Sequence, residues 1–121
     1  MTARAALLSP FKLGPLELKN RVFSAAHAPG YVEAGLPGQR YQLYHEEKAK
    51  GGLALTMFGG SANIARDSGS IFGQIYLGDD AVIPHFAAFA SRIHKHHCAI
   101  MCQISHMGRR TTWNSGDWFA T

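Results

Sequence analysis

Several absences bound what this 121-residue chain can be. No apolar run approaches the roughly 18 to 20 residues that span a bilayer, and the first residues lack the apolar core of a signal peptide. The chain therefore reads as cytoplasmic, with no membrane partner. Cysteine is scarce: Cys98 and Cys102 are the only two. On one strand their Cα atoms would lie about 13 Å apart, too far for a disulfide, and two reduced, mostly buried thiols agree with a reducing compartment. Neither G-x-G-x-x-G nor G-x-x-x-x-G-K-[ST] occurs, so nothing supports a Rossmann or P-loop site. The 8 acidic residues face 12 Lys and Arg, a formal charge of +4, but the basic residues are scattered from Arg4 to Arg110. Without a clustered basic face, nucleic acid is not an expected partner. His94, His96 and His97 are dense in histidine, yet positions i, i+2 and i+3 of a helix do not converge, so they predict a solvated helix end and no metal.

What is present alternates. Phe11-Lys12-Leu13 and Leu16-Glu17-Leu18 flank Gly14-Pro15 and predict a β-hairpin, while residues 1–10 carry no clear pattern. Val22 to Ala26 is a short apolar run closed by Pro29-Gly30, a first buried strand. Arg40 to Lys50 lacks Gly and Pro, sets Tyr41 and Tyr44 one turn apart and Glu46 four residues before Lys50, and meets Gly51-Gly52, the pattern of a helix with its stop. Leu53 to Phe58 is an uninterrupted apolar run ending at Gly59-Gly60, as in a parallel strand covered on both faces.

Residues 61–80 read as a long polar segment. Asp79-Asp80 then offers N-caps for a helix that tolerates Pro84 in its first turn. Its predicted core stripe is Ile83, Phe86, Ala87, Ala90 and Ile93, and its end lies near His97. Ala99 to Ser105 is the third strand. Strand, helix, strand, helix, strand predicts an α/β fold with a parallel sheet. Three strands leave two unpaired edges, and a closed (β/α)8 barrel takes eight strands in about 250 residues. The expectation is an incomplete amino-terminal portion of a TIM (β/α)8 barrel: the hairpin and about three βα units over residues 1–121, with the remainder of the barrel missing. Such a chain alone is expected to be inactive and aggregation-prone.

Strand alternation sets Ala99, Met101, Gln103 and Ser105 on one face of the third strand and Cys98, Ile100, Cys102 and Ile104 on the other. A glutamine at the carboxyl end of an inward face would sit at the barrel mouth, where its amide can donate and accept. The segment Gln103-Ile104-Ser105-His106-Met107-Gly108-Arg109 resembles the Gln-Leu-x-His-x-Gly-Arg stretch of the old yellow enzyme family, the FMN-dependent barrels that include enoate reductases, dienoyl-CoA reductases and trimethylamine dehydrogenase. The resemblance runs through nearly the whole chain, including Leu18-Lys19-Asn20-Arg21, with its elements in the family's order.

The resemblance implies that the backbone of Ala25, Ala26, His27 and Ala28 packs against a flavin, and that Gly59-Gly60 matches the Gly-Gly of dienoyl-CoA reductase-like members. It also implies that Gln103 bonds the pyrimidine edge of the isoalloxazine and that His106 and Arg109 fix the loop after the third strand. Ala28 stands where trimethylamine dehydrogenase carries its flavin-tethering Cys, so the FMN would be non-covalent. Taken alone, Gln103 is an ordinary surface amide, Gly59-Gly60 a turn and His27 a structural histidine; the resemblance makes His27 a candidate catalytic base. Trp113, Trp118 and Phe119 either wall the substrate cavity or pack on further strands.

His27-Ala28-Pro29-Gly30-Tyr31, Gln42-Leu43-Tyr44-His45-Glu46-Glu47 and Arg109-Arg110-Thr111-Thr112-Trp113 are most similar to the branch of amine dehydrogenases and N-methyl amino acid demethylases. The expected activity is oxidative N-demethylation of a small N-methylated amine or amino acid, such as N-methylproline or dimethylglycine. Alternatives are an NAD(P)H-dependent enoate or 2,4-dienoyl-CoA reductase and a catalytically inactive fragment. For the intact protein the resemblance also implies a 4Fe-4S cluster, a second nucleotide site for FAD or NAD(P)H beyond the barrel, a small-molecule substrate and a homo-oligomer.

Overall fold

The computed structural model describes residues 2–68 and 73–108. Arg109, Trp113, Trp118 and Phe119, named above, lie outside the described residues. The chain opens with a short helix, α1 (Ala3–Leu7), capped by the Thr2 hydroxyl, which accepts from the amide of Ala5. No sequence pattern announced it. The hairpin forms as expected: β1 (Phe11–Leu13) pairs antiparallel with β2 (Leu16–Leu18), and Gly14 takes the positive φ of 55° that the turn requires.

The remaining strands are β3 (Phe23–Ser24), β4 (Leu55–Asn63) and β5 (Ala99–Ser105), side by side and parallel in the order β3-β4-β5. They are joined by α2 (Gln39–Lys50) and α3 (Ile83–His94). Parallel strands need such crossovers. Ladder pairing in β3 covers only two of the five residues of the expected first strand, 22–26. The Asn20 carboxamide takes the Val22 amide while the Val22 carbonyl accepts from Ala54, which fixes where the pairing starts.

The second strand corrects its sequence-based end. It does not stop at Gly59-Gly60 but runs on to Asn63, with a shift in register between Phe58 and Ala62: Phe58 pairs with Cys102 and Ala62 with Ile104. Four steps on β4 thus match two on β5, and the excess is absorbed at Gly59 (φ 103°) and Gly60 (φ 50°), where only glycine is unstrained. The segment that follows is less open than its polarity suggests. Asn63 exchanges backbone hydrogen bonds with Ile75 and Leu77, and Ile75 is fully buried.

Two cores flank the sheet. On the helix side Tyr41, Phe58, Phe89, Ile93 and Cys98 are buried together, with Ile100 and Cys102 packed against them. On the other face Leu18 of the hairpin meets Ala54 and Leu55, with Met57 and Ala99 alongside. Ala99 and Met101 therefore mark the face that looks inward in a barrel and Ile100 and Cys102 the face that meets the helices. Beside the hairpin the inward face lines an apolar recess of about 520 Å³ that includes Phe11, Phe23, Met57 and Met101.

Both cysteines are free, and burial raises both thiols, Cys102 to about 11, so neither is a ready thiolate. Asp79 caps a 3-10 turn (Asp80–Val82) ahead of α3, as its side chain accepts from Ala81. The buried face of α3 is rotated from the expected stripe. Val82, Phe89 and Ile93 are buried and Phe86 packs beside them, whereas Ile83 is 58% exposed and Ala87 is exposed. The helix is apolar on most sides, so periodicity alone does not fix its phase. It ends at His94, not near His97, which has left the helix with a φ of 50°.

Candidate functional site at the carboxyl ends of the strands

The residues beyond β3, the bulge in β4 and the end of β5 meet at one edge of the sheet. A methyl group on Gly60 would overlap the His27 carbonyl and the Ala28 amide nitrogen, so the chain after β3 lies directly on this glycine. A methyl group on Gly59 would come within 2.5 Å of the Gln103 carbonyl oxygen and 3.2 Å of its nitrogen. Strands one, two and three are thus locked together at their carboxyl ends through two missing side chains. Ala25 and Ala28 are exposed and Ala26 and Gly60 half-buried, so only methyl groups and backbone cover this part of the rim. Gln103 shares the inward face with Met101 by alternation and is exposed.

Helix α2 anchors this edge from outside. Tyr41, Tyr44, His45 and Lys48 recur at i, i+3, i+4 and i+7 and lie on one face. The Tyr41 hydroxyl, fully buried, accepts from the amide of Gly59 at 3.1 Å, satisfying a donor that the bulge removes from the ladder. Burial raises the Tyr41 phenol above its ordinary value, outweighing that hydrogen bond. His45 Nδ1 lies 2.8 Å from the Thr56 hydroxyl, its ring stacks on Tyr41, and burial, with Lys48 and His27 nearby, lowers it to about 3. Its Nε2 is buried without a hydrogen-bond partner among the described residues. A neutral imidazole is what such an apolar, aromatic setting holds.

His27 turns toward the same helix. Nδ1 lies 2.9 Å from the carbonyl oxygen of Ala25, and Nε2 lies 2.8 Å from the Tyr44 hydroxyl and 3.1 Å from Lys48 Nζ. Sequence reasoning missed Tyr41, Tyr44, His45 and Lys48 as a group. Their helical spacing was the available signal, but the aromatic and basic mixture does not read as a core stripe.

The loop after β5 is held too. The Met107 amide donates to the Ser68 hydroxyl at 2.7 Å, and His106 accepts from the Gly108 amide and stands 3.5 Å from Asp67. Of the expected His–Arg pair, His106 is described in this role and Arg109 is outside the described residues. Of the histidine run, His96 bonds Glu46 at 3.0 Å, joining Arg92, which donates to the other Glu46 oxygen at 2.8 Å. These two donors hold the Glu46 carboxyl down at about 2.

A hairpin beside a parallel sheet, crossover helices on one face and close backbone contact at the carboxyl ends of the strands are the features of the opening units of a (β/α)8 barrel, in which ligands are met at those ends. The chain belongs to the NADH:flavin oxidoreductase / NADH oxidase family, whose profile matches residues 6–117. It is 55% identical over 112 residues to the multifunctional alkene reductase/demethylase OYE of Caballeronia cordobensis, across 93% of the chain and 17% of that protein. To the probable N-methylproline demethylase of Rhizobium meliloti it is 41% identical, across 93% of the chain and 16% of the relative. To the N,N-dimethylglycine/sarcosine dehydrogenase of Chromohalobacter salexigens it is 44% identical, across 93% and 17%.

The chain thus spans about one sixth of these curated relatives. Among solved structures, 2-naphthoyl-CoA reductase superposes with a TM-score of 0.82 at 25% identity, over 91% of the chain and 17% of the reductase. The old yellow enzyme of Trypanosoma cruzi does so at 0.78 and 24%, over 88% and 28%, which speaks for the fold. The partial-barrel expectation stands: this is the amino-terminal part of an old yellow enzyme-type TIM barrel. No described helix is long and apolar enough to cross a membrane.

Proposed function

We propose that this chain supplies the first strands and part of the flavin site of an FMN-dependent oxidoreductase that oxidatively removes methyl groups from small N-methylated amines or amino acids of the N-methylproline or dimethylglycine kind. The observation that carries the site is the seating of the His27–Ala28 backbone on Gly60 beside Gln103. A rim of backbone, alanine and glycine would suit the edge of a flat ring, and the Gln103 amide can both donate and accept. Bound FMN would supply a two-electron acceptor for hydride from the N-methyl carbon, after which water adds to the substrate iminium and formaldehyde leaves the secondary amine.

The chain's own residues position and exclude. Ala25, Ala26, His27 and Ala28 would face the ring, Gly59 and Gly60 would permit that approach, and Gln103 would orient the ring by hydrogen bonding. With Ala28 in place of a thiol, no covalent tether forms at that position. The demethylase reading draws on similarity to two relatives whose names carry N-methyl substrates. A second activity, NAD(P)H-dependent alkene reduction on enones or dienoyl-CoA substrates, is favoured by the 55% identical relative, whose name joins both reactions.

The test uses the full-length protein. Purified with its flavin, it should release formaldehyde from N-methylproline or dimethylglycine. Turnover of 2-cyclohexenone or a dienoyl-CoA with no formaldehyde from any N-methyl substrate would replace the demethylase reading by the reductase one. Iron and second-nucleotide content of the same preparation tests the 4Fe-4S and FAD or NAD(P)H expectations, and its mass in solution tests the homo-oligomer.

A further inference from the structure

We propose that His27 is a positioning residue, not the proton acceptor of the reaction, and that Lys48 and Tyr44 are its anchors. This rests on the flavin reading of the site. Nδ1 lies 2.9 Å from the carbonyl oxygen of Ala25, two residues back on its own strand end. A carbonyl only accepts, so Nδ1 carries the hydrogen. Nε2 lies 3.1 Å from Lys48 Nζ, an ammonium that only donates, and 2.8 Å from the Tyr44 hydroxyl. Nε2 is therefore bare of hydrogen and accepts from both.

A general base needs a lone pair aimed at the proton it takes. In this tautomer the ring has one, and both groups that occupy it come from α2, on the outer side of the sheet. Lys48 is itself fixed: it donates to the Ser24 hydroxyl at 3.1 Å and stands 4.4 Å above the Tyr44 ring. Tyr44 packs edge-on to Tyr31, whose ring carries the Arg40 guanidinium at 4.1 Å. The clamp so formed ties Ser24 and His27 to one turn of α2, and the His27–Ala28 peptide just after it is the one that Gly60 receives. Losing it would let the 25–28 backbone drift from the ring while leaving the chemistry of the ring unchanged.

The experiment takes the full-length protein with 15N-labelled histidine and the variants H27N, K48M and Y44F. The 15N shifts of His27 in the wild type, read without flavin, should show the Nδ1–H tautomer. H27N keeps a donor for the Ala25 carbonyl but cannot reach α2, so H27N and K48M should each weaken FMN binding about tenfold, the loss expected for one hydrogen-bonded anchor. The double variant should be no worse than either alone. The acid limb of the kcat profile should persist in H27N. An Nε2–H tautomer would overturn the proposal. So would H27N with FMN affinity unchanged and kcat about 100-fold lower together with loss of that limb, the signature of a base. Wild-type protein that binds no flavin would end the flavin reading, and the tautomer measurement would still decide the clamp.

Discussion

Gly60 and His27 are in direct backbone contact: the α-carbon of the one leaves no room for a side chain against the carbonyl of the other. The contact brings the end of the first strand onto the bulge of the second, and Gly59 does the same for the second and third through Gln103. Neighbouring parallel strands need no such contact for pairing, which Phe23–Ser24 and Leu55–Thr56 already provide. It shapes the rim.

In full-length protein G60A should lose stability and flavin together. The added methyl meets the His27–Ala28 peptide and the residue has φ 50°, so relaxation must move the strand end. A cost of about 2–4 kcal/mol is expected, read as a lowered denaturation midpoint with sub-stoichiometric flavin absorbance. A variant with wild-type stability and full flavin content would show that the contact is dispensable.

Q103L should separate binding from folding. The substitution keeps volume on an exposed position and removes both hydrogen-bonding functions. FMN affinity should fall about tenfold, while the variant should still unfold in one cooperative transition. Equilibrium dialysis and urea unfolding check the two halves.

Several elements of the fold were legible because their signals are local: Gly14-Pro15 between alternating runs, a breaker-free helix before Gly51-Gly52, and an apolar run at 99–105 whose bounds coincide with β5. The bulge was not. A pair of glycines after an apolar strand reads as an exit, and only the register against Cys102 and Ile104 shows the chain continuing. The face of α3 was misplaced because Ile83, Phe86, Ala87, Phe89 and Ala90 surround the helix, and it is the sheet that selects Phe89. At the site, the resemblance named the residues that meet at the rim, while the α2 residues behind them depend on side-chain geometry that spacing only hints at.

F89A should cost about 3–5 kcal/mol, since the ring is fully buried among Tyr41, His45 and Phe58. I83A, on the exposed side, should cost less than about 1 kcal/mol. Thermal or urea unfolding of the pair tests the helix phase; equal losses would contradict it.

Acid stability should depend on His45 and Glu46 in different windows. His45 is lowered from 6.5 to about 3, so the unfolded chain binds its proton first and stability drains as pH falls from 6.5 toward 3. Glu46 is lowered from 4.5 to about 2, so its contribution is full above 4.5 and lost as pH falls toward 2. H45Q should flatten the first slope. E46Q should cost about 1–2 kcal/mol at pH 7, discounted for partial solvent access, and the gap to wild type should close toward pH 2. Unfolding midpoints measured across pH check both signs.

The most direct measurement is a structure of the full-length protein with its flavin. The isoalloxazine should lie in van der Waals contact, about 3.5–4 Å, with the backbone of residues 25–28, with the Gln103 amide about 2.7–3.2 Å from a pyrimidine-edge atom. A flavin seated against other strand ends, with His27, Gly60 and Gln103 out of reach, would contradict the account.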